Sequence, residues 1–219
     1  MLEYSVVDET LRDGRRVAGA ETRRRLLESA RTLLAERGDA DLTLREITDA
    51  ARANVAAVSY HFGSKEDLRT EAVRGALRIL AERVVTALEA LPADASLVDV
   101  ATTWCEPVVA AIARPDSEDG VLARIASRVA TNAVGGLRDD YEAIMAPAHA
   151  VVIERLRRVV AEDLSDDELR LRRECAIGLF LFIAGDHLPI DLAARGEAEA
   201  RRLVVGAVAG ILGGAPLPG

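Results

Sequence analysis

The stretch from Leu42 to Leu68, LTLREITDAARANVAAVSYHFGSKEDL, constrains this chain more than any other. Thr43 and Glu46 stand in T-x-x-E spacing, a capping box in which each side chain satisfies an orphan amide at a helix start. Leu44, Ile47 and Ala51 then recur at i, i+3 and i+7 and mark one apolar face. Asn54, a favoured N-cap residue, predicts a second helix with Val58 and Phe62 on its buried side. Val55, Ala56, Ala57, Ser59 and Tyr60 cover much of the rest, and most are short. Short exposed side chains let a helix backbone approach base edges, and Ala or Val methyls can meet the thymine methyl. Gly63-Ser64 then breaks the chain, Ser64 and Asp67 cap a third helix, and Lys65 sits in its first turn. A helix N-terminus with a lysine beside it suits a phosphate. The bland alternative is a three-helix corner of an all-α protein.

The identity of the residues favours the first reading. NVAAVSYHFGSKEDL resembles the recognition-helix signature of the TetR/AcrR family of transcriptional regulators, and LTLREITDAA resembles that family's first motif helix. Upstream, TRRRLLESARTLLAERG (Thr22 to Gly38) is similar to the family's first helix, with Leu26, Leu27, Ala30, Leu33 and Leu34 apolar and Gly38 as its stop. Two positions depart from the pattern. Thr48 stands where the family usually has a small residue, and Arg52 where it usually has Gly in the turn between the motif helices. Glycine suits a left-handed backbone there, and arginine in that conformation costs roughly 1 kcal/mol. Either the turn is relaxed here or Arg52 offsets the strain with a contact, and its side chain is a phosphate contact or a solvated turn arginine.

The resemblance implies roles for individual residues. Arg45 matches a position that reaches base edges, and Val55, Ala56, Ala57 and Ser59 match groove-facing positions. Thr43, Tyr60, His61 and Lys65 match phosphate-contacting positions, with Asn54 capping the reading helix. For Tyr60 and His61 packing on a neighbouring helix and capping remain the alternatives.

The net charge of −8 is unevenly spread. Residues 1–70 hold 12 basic and 13 acidic side chains, and residues 71–219 hold 16 and 23. From Arg12 to Arg31 there are seven arginines against three acids. A locally basic domain on an acidic body is compatible with duplex binding, because phosphate attraction fades over about 10 Å. The segment Met1 to Ala20, with Gly14-Arg15-Arg16, has no clear apolar period and reads as a disordered tail or a minor-groove arm. Cys105 and Cys175 lie far apart in apolar context and read as two free buried thiols in a reducing cytoplasm. The polar N-terminus does not read as a signal peptide.

Beyond the motif the chain reads as helices: Lys65 to Ala90, Leu97 to Arg114 kinked at Pro107, Val121 to Asn132, Leu137 to Ala161 bent near Pro147, a helix from Ser165 to about Asp186, and Glu197 to Leu212. RPDSEDG (Arg114 to Gly120) reads as a loop, Ser165-x-x-Glu168 as another capping box, and Leu188-Pro189 as a stop. The expected fold is all-α, with about nine helices. Residues 1–20 form a disordered or arm-like tail, 21–67 a helix-turn-helix DNA-binding domain, and 68–219 a larger helical ligand-binding and dimerisation domain.

CAIGLFLFIAG (Cys175 to Gly185) and LVVGAVAGIL (Leu203 to Leu212) are apolar on all sides, and Gly206-x-x-x-Gly210 permits close approach. Both runs are too short to span a membrane, so a homodimer through the last two helices is expected, with an intrachain core as the alternative. Two reading helices related by a twofold axis would read a palindromic operator. The resemblance further implies a small-molecule effector bound between the middle helices. Its candidate contacts are the large or polar groups inside apolar helices: Trp104, Arg128, Asn132, Tyr141, Met145, His149 and Phe180. Arg128 with Asn132 suits a carboxylate, or Arg128 pairs with Asp139 or Glu142. The aliphatic composition favours a lipophilic effector.

Catalysis finds no footing: His61, His149 and His187 lack metal-ligand spacing, no phosphate-cradling glycine loop follows a strand, and no cofactor is implied. The expectation is a ligand-responsive repressor. A helical protein-interaction module that has lost DNA binding is the alternative, and an enzyme has least support.

Overall fold

Side-chain caps set where most helices begin. The structure, a computed structural model, describes residues 3–38, 42–131, 135–160, 164–185, 187 and 190–214, with side chains from residue 16 onward. Among the described residues there are nine α-helices, one short 3-10 turn and no strand: α1 (Glu3–Arg37), α2 (Leu44–Ala50), α3 (Val55–Phe62), α4 (Lys65–Glu89), α5 (Leu97–Ala113), α6 (Glu118–Ala130), α7 (Arg138–Val159), α8 (Asp166–Ala184) and α9 (Glu197–Gly213), with the 3-10 turn at Ala193–Arg195. The all-α expectation therefore holds. Two compact units divide the chain, Met1–Val73 and Arg74–Gly219, and α4 contributes to both.

In the first unit, Thr43 caps α2 with the complete box: its hydroxyl accepts from the Glu46 amide at 3.2 Å while Glu46 accepts from the Thr43 amide at 2.9 Å. Asn54 caps α3, its Oδ1 accepting from the Ala56 amide at 2.9 Å. Ser64 caps α4, accepting from the Asp67 amide at 3.0 Å. Leu26, Leu34, Ile47, Val58 and Leu68 are almost wholly withdrawn from solvent and form the core under α2 and α3. Each such side chain contributes about 1.5–3 kcal/mol by burial. Thr48 is also buried, and its hydroxyl donates to the Arg45 carbonyl at 3.0 Å, which is how the core accepts a polar residue there. Gly38 ends α1 with φ 77°, as a C-terminal glycine should.

Three expectations are corrected in these elements. The tail of residues 1–20 is helical from Glu3: no proline interrupts the run, and Asp8 and Arg12 stand at supportive i,i+4 spacing. The Arg15 side chain, which the arm-like alternative needs, lies outside those described. Helix α6 begins at Glu118 inside the expected loop, because Ser117 accepts from the Gly120 amide at 3.2 Å. Gly120 is no stop; a Cβ on it would lie 2.5 Å from the Arg114 carbonyl oxygen. Ser165 caps α8, but Glu168 pairs with Arg172 at 2.8 Å.

In the second unit α5 packs against α6, α7, α8 and α9. Helices α5 and α7 continue through Pro107 and Pro147. The ends expected at Ala161, Asp186 and Leu188-Pro189 lie outside the described residues. Cys105 is buried on α5, and burial pushes its thiol up to about 12. Cys175 is free but exposed on α8, against the expectation of two buried thiols, because the inner face of that apolar helix is only part of its surface. Leu171 and Phe182 are exposed on the same helix, and a Cβ on Gly178 would meet nothing within 4 Å. On α9, Gly206 and Gly210 are likewise open. Among the described residues no helix is long and apolar enough to cross a membrane.

Candidate nucleic-acid interface and effector cavity

Helix α3 has two unlike sides. Val58 is buried, Phe62 half-buried, and Val55, Ala56, Ser59 and Tyr60 are exposed, with Ala57 and His61 flanking. At 100° per residue the four exposed positions share one face. Tyr60 is 84% exposed and Val55 46%, large values for residues of their kind in a folded domain. That face is short, small-chained and free of carboxylates, so a helix backbone can approach a polyanionic groove closely.

The basic residues around it differ in readiness. The Arg45 side chain is 88% exposed and stands 3.9 Å from Asp49, a loose surface pairing. Lys65 is half-buried, and its ammonium donates to the Leu42 carbonyl, latching the start of α4 to the segment before α2. That bond uses one of its three donors. Thr43 spends its hydroxyl on the cap, donating to Glu46 Oε2 at 2.8 Å. His61 packs edge-on to Tyr60 at 4.8 Å, and its ring lies 3.7 Å from where a Cβ on Gly19 would stand. Arg23 of α1 lies over the Phe62 ring at 5.0 Å and pairs with Glu71 of α4. Sequence reasoning missed this clamp, since nothing in the spacing of Arg23, Phe62 and Glu71 announces it.

Arg52 has φ 50°, the one positive φ among described non-glycine residues. Its backbone amide donates to the Asp49 carbonyl at 3.1 Å, while its exposed side chain makes no hydrogen bond or ion pair among the described residues. The turn is thus left-handed at Arg52 rather than relaxed, and no contact among the described residues offsets it.

The second unit holds a cavity of about 60 Å³ between α4, α5, α6, α7 and α8. Trp104, Tyr141, Met145, His149 and Phe180 all line it. Leu80 and Val84 of α4 and Ala184 of α8 complete much of the wall. Trp104 meets Phe180 edge-on at 4.8 Å, and the Tyr141 and His149 rings lie 6.3 Å apart. Burial pushes the Tyr141 phenol up to about 12. Burial, with help from Arg173, pulls the His149 imidazole below its ordinary value, against Glu174 and Glu142. Both polar groups are thus held neutral in an apolar chamber.

Arg128 does not line this cavity; it projects from another side of α6, half-buried, its basicity lowered by burial and by Arg124. Asn132, its expected companion, lies outside the described residues. Among the described residues no cluster of His, Cys, Asp or Glu could hold a metal ion.

Residues 26–72 match the sequence model of the family described as bacterial regulatory proteins, tetR family. The fold is similar to that of a TetR-family transcriptional regulator from Rhodococcus sp., at 18% identity and TM-score 0.62, over 88% of this chain and 99% of that one. It is also similar to a transcriptional regulator from Streptomyces coelicolor A3(2), at 21% identity and TM-score 0.52, over 88% and 98%. These likenesses show a shared fold. No curated protein matches the chain.

Proposed function

We propose, from the match of residues 26–72 to the sequence model of the bacterial regulatory proteins, tetR family, that the chain is a homodimeric DNA-binding repressor released from a palindromic operator by a small molecule. The exposed face of α3 carries this reading: Val55, Ala56 and Ser59 offer contact to base edges, and Tyr60 reaches beyond them. Arg45 supplies a further base contact, Thr43, His61 and Lys65 supply phosphate contacts, and the Asn54 cap fixes where the reading helix begins.

The open faces of α8 and α9 support dimerisation. Leu171 and Phe182 present exposed apolar surface, with Phe182 also touching the His187 ring at 5.5 Å, and a Cβ on Gly206 or Gly210 would meet nothing within 4 Å. A twofold pair of α3 helices then meets successive major grooves about 34–36 Å apart.

Control rests on α4. The helix starts at Lys65 beside the reading head, and its Leu80 and Val84 line the cavity. Arg74 ties it to α7 through a two-pronged pair with Asp140, at 2.9 and 3.1 Å. An effector that binds one position of α4 better than another shifts the operator equilibrium by its differential affinity, typically about 1–3 kcal/mol. Trp104, Tyr141, Met145, His149 and Phe180 are the contacts for its apolar body.

Selection of genomic duplex fragments on the immobilised protein tests the reading. Recovered fragments should share a twofold-symmetric sequence and should be lost with an Ala56→Glu, Ser59→Glu variant. Fragments retained equally by that variant contradict it. A protein-interaction module would retain none at any salt.

A further inference from the structure

A second cavity, of about 520 Å³, adjoins the first. Ala184 of α8 lines both chambers. It clusters with Ala123, which faces the first, and Ala111, which faces the second. These three side chains are methyl groups, the smallest that L-residues provide.

The chambers differ in charge. No ionised side chain lines the first, where the polar groups are the neutral Tyr141 and His149. Arg124 of α6 lines the second. Its Nε is buried without a hydrogen-bond partner, and the guanidinium makes no ion pair among the described residues. A withdrawn donor left unmatched costs free energy that an anionic acceptor would recover. Arg128, one turn further along α6, adds positive charge nearby. Asp191 also borders the chamber, but its Oδ1 already accepts from the Ala194 amide at 2.9 Å.

Building on the effector-released repressor described above, we propose that the effector is an amphipathic carboxylate. Its head group pairs with Arg124 in the larger chamber, which also holds most of its apolar body, and the end of that body reaches past Ala184 toward the chamber lined by Trp104. The guanidinium fork matches a carboxylate in two parallel hydrogen bonds. The small side chain of Ala184 lets one molecule reach from the larger chamber toward the first, and the charge-free first chamber rejects the head.

Trp104 is the single tryptophan of the chain, so its fluorescence reports occupancy of the first chamber. Octanoate and 1-octanol share a chain and differ in the charge of the head. Titrated below their aggregation limits, octanoate should bind at least about tenfold tighter than 1-octanol. Arg124→Gln should remove that preference by weakening octanoate alone. The wild-type comparison stands without any variant, and Arg124→Lys, which keeps charge but loses the fork, should give an intermediate preference. Equal affinities, a preference for 1-octanol, or no response to either probe overturns the proposal. Duplex binding measured on the same samples separates the two claims: a protein that still holds its duplex but shows no carboxylate preference loses this inference alone.

Discussion

The Arg23 guanidinium lies 5.0 Å from the centre of the Phe62 ring, joining the long first helix to the last residue of the reading helix. Arg23 also pairs with Glu71, so one side chain of α1 meets both α3 and α4. It is 41% exposed, and the ion pair is correspondingly weak; the ring contact and the packing of the stem carry most of the effect. Arg23→Ala should cost about 1 kcal/mol in urea unfolding. Arg24→Ala, on the neighbouring exposed position, should cost distinctly less.

Arg52 sits at φ 50° with no compensating side-chain contact among the described residues. Arg52→Gly should therefore raise stability by about 0.5–1 kcal/mol, the left-handed penalty less the extra freedom of glycine in the unfolded chain. A thermal melt checks the sign. Destabilisation would mean that the arginine side chain holds the turn.

Glu46 is held down to about 2 by the Thr43 backbone and hydroxyl hydrogen bonds and by Arg37. Its folded value lies below the unperturbed 4.5, so its contribution is fully present above 4.5 and is lost as pH falls toward about 2. Glu46→Ala should be less stable than wild type at neutral pH, and the gap should narrow across that window. A gap that persists near the lower limit would assign the effect to something other than the ionised carboxylate.

His149 has the opposite chemistry and the same direction of dependence. Burial lowers its folded value below 6.5, so the unfolded chain takes up the proton first as pH falls. Stability should drop as pH falls below about 6.5, and His149→Phe should flatten that part of the profile. Melting temperatures above and below that value measure it.

Local signals were legible and long-range ones were not. The Thr43–Glu46 box and the Asn54 cap depend on residues two or three apart, and spacing alone reveals them. Trp104, Tyr141, Met145, His149 and Phe180 stood out as large or polar groups within apolar helices, and the fold brings them to one chamber. Arg128 stood out equally, yet its angular position on α6 carries it away from that chamber. Arg124 drew no notice, because its significance lies in what it fails to meet. The start of α5 at Leu97 was legible, but the Ser96–Asp99 box that sets it was not singled out. The outward face of α8, with Cys175 on it, cannot be told from the inner face when every position is apolar.

Equilibrium binding to a duplex recovered by genomic selection, at about 50 and about 200 mM salt, tests the central claim most directly. The account predicts one dimer per twofold site and an affinity that falls steeply with salt. Arg45→Ala should weaken binding most at particular base pairs, and Lys65→Ala should weaken it uniformly with a shallower salt slope. A protein that binds no duplex at the lower salt, or binds with no dependence on salt and no response to changes on the α3 face, contradicts it.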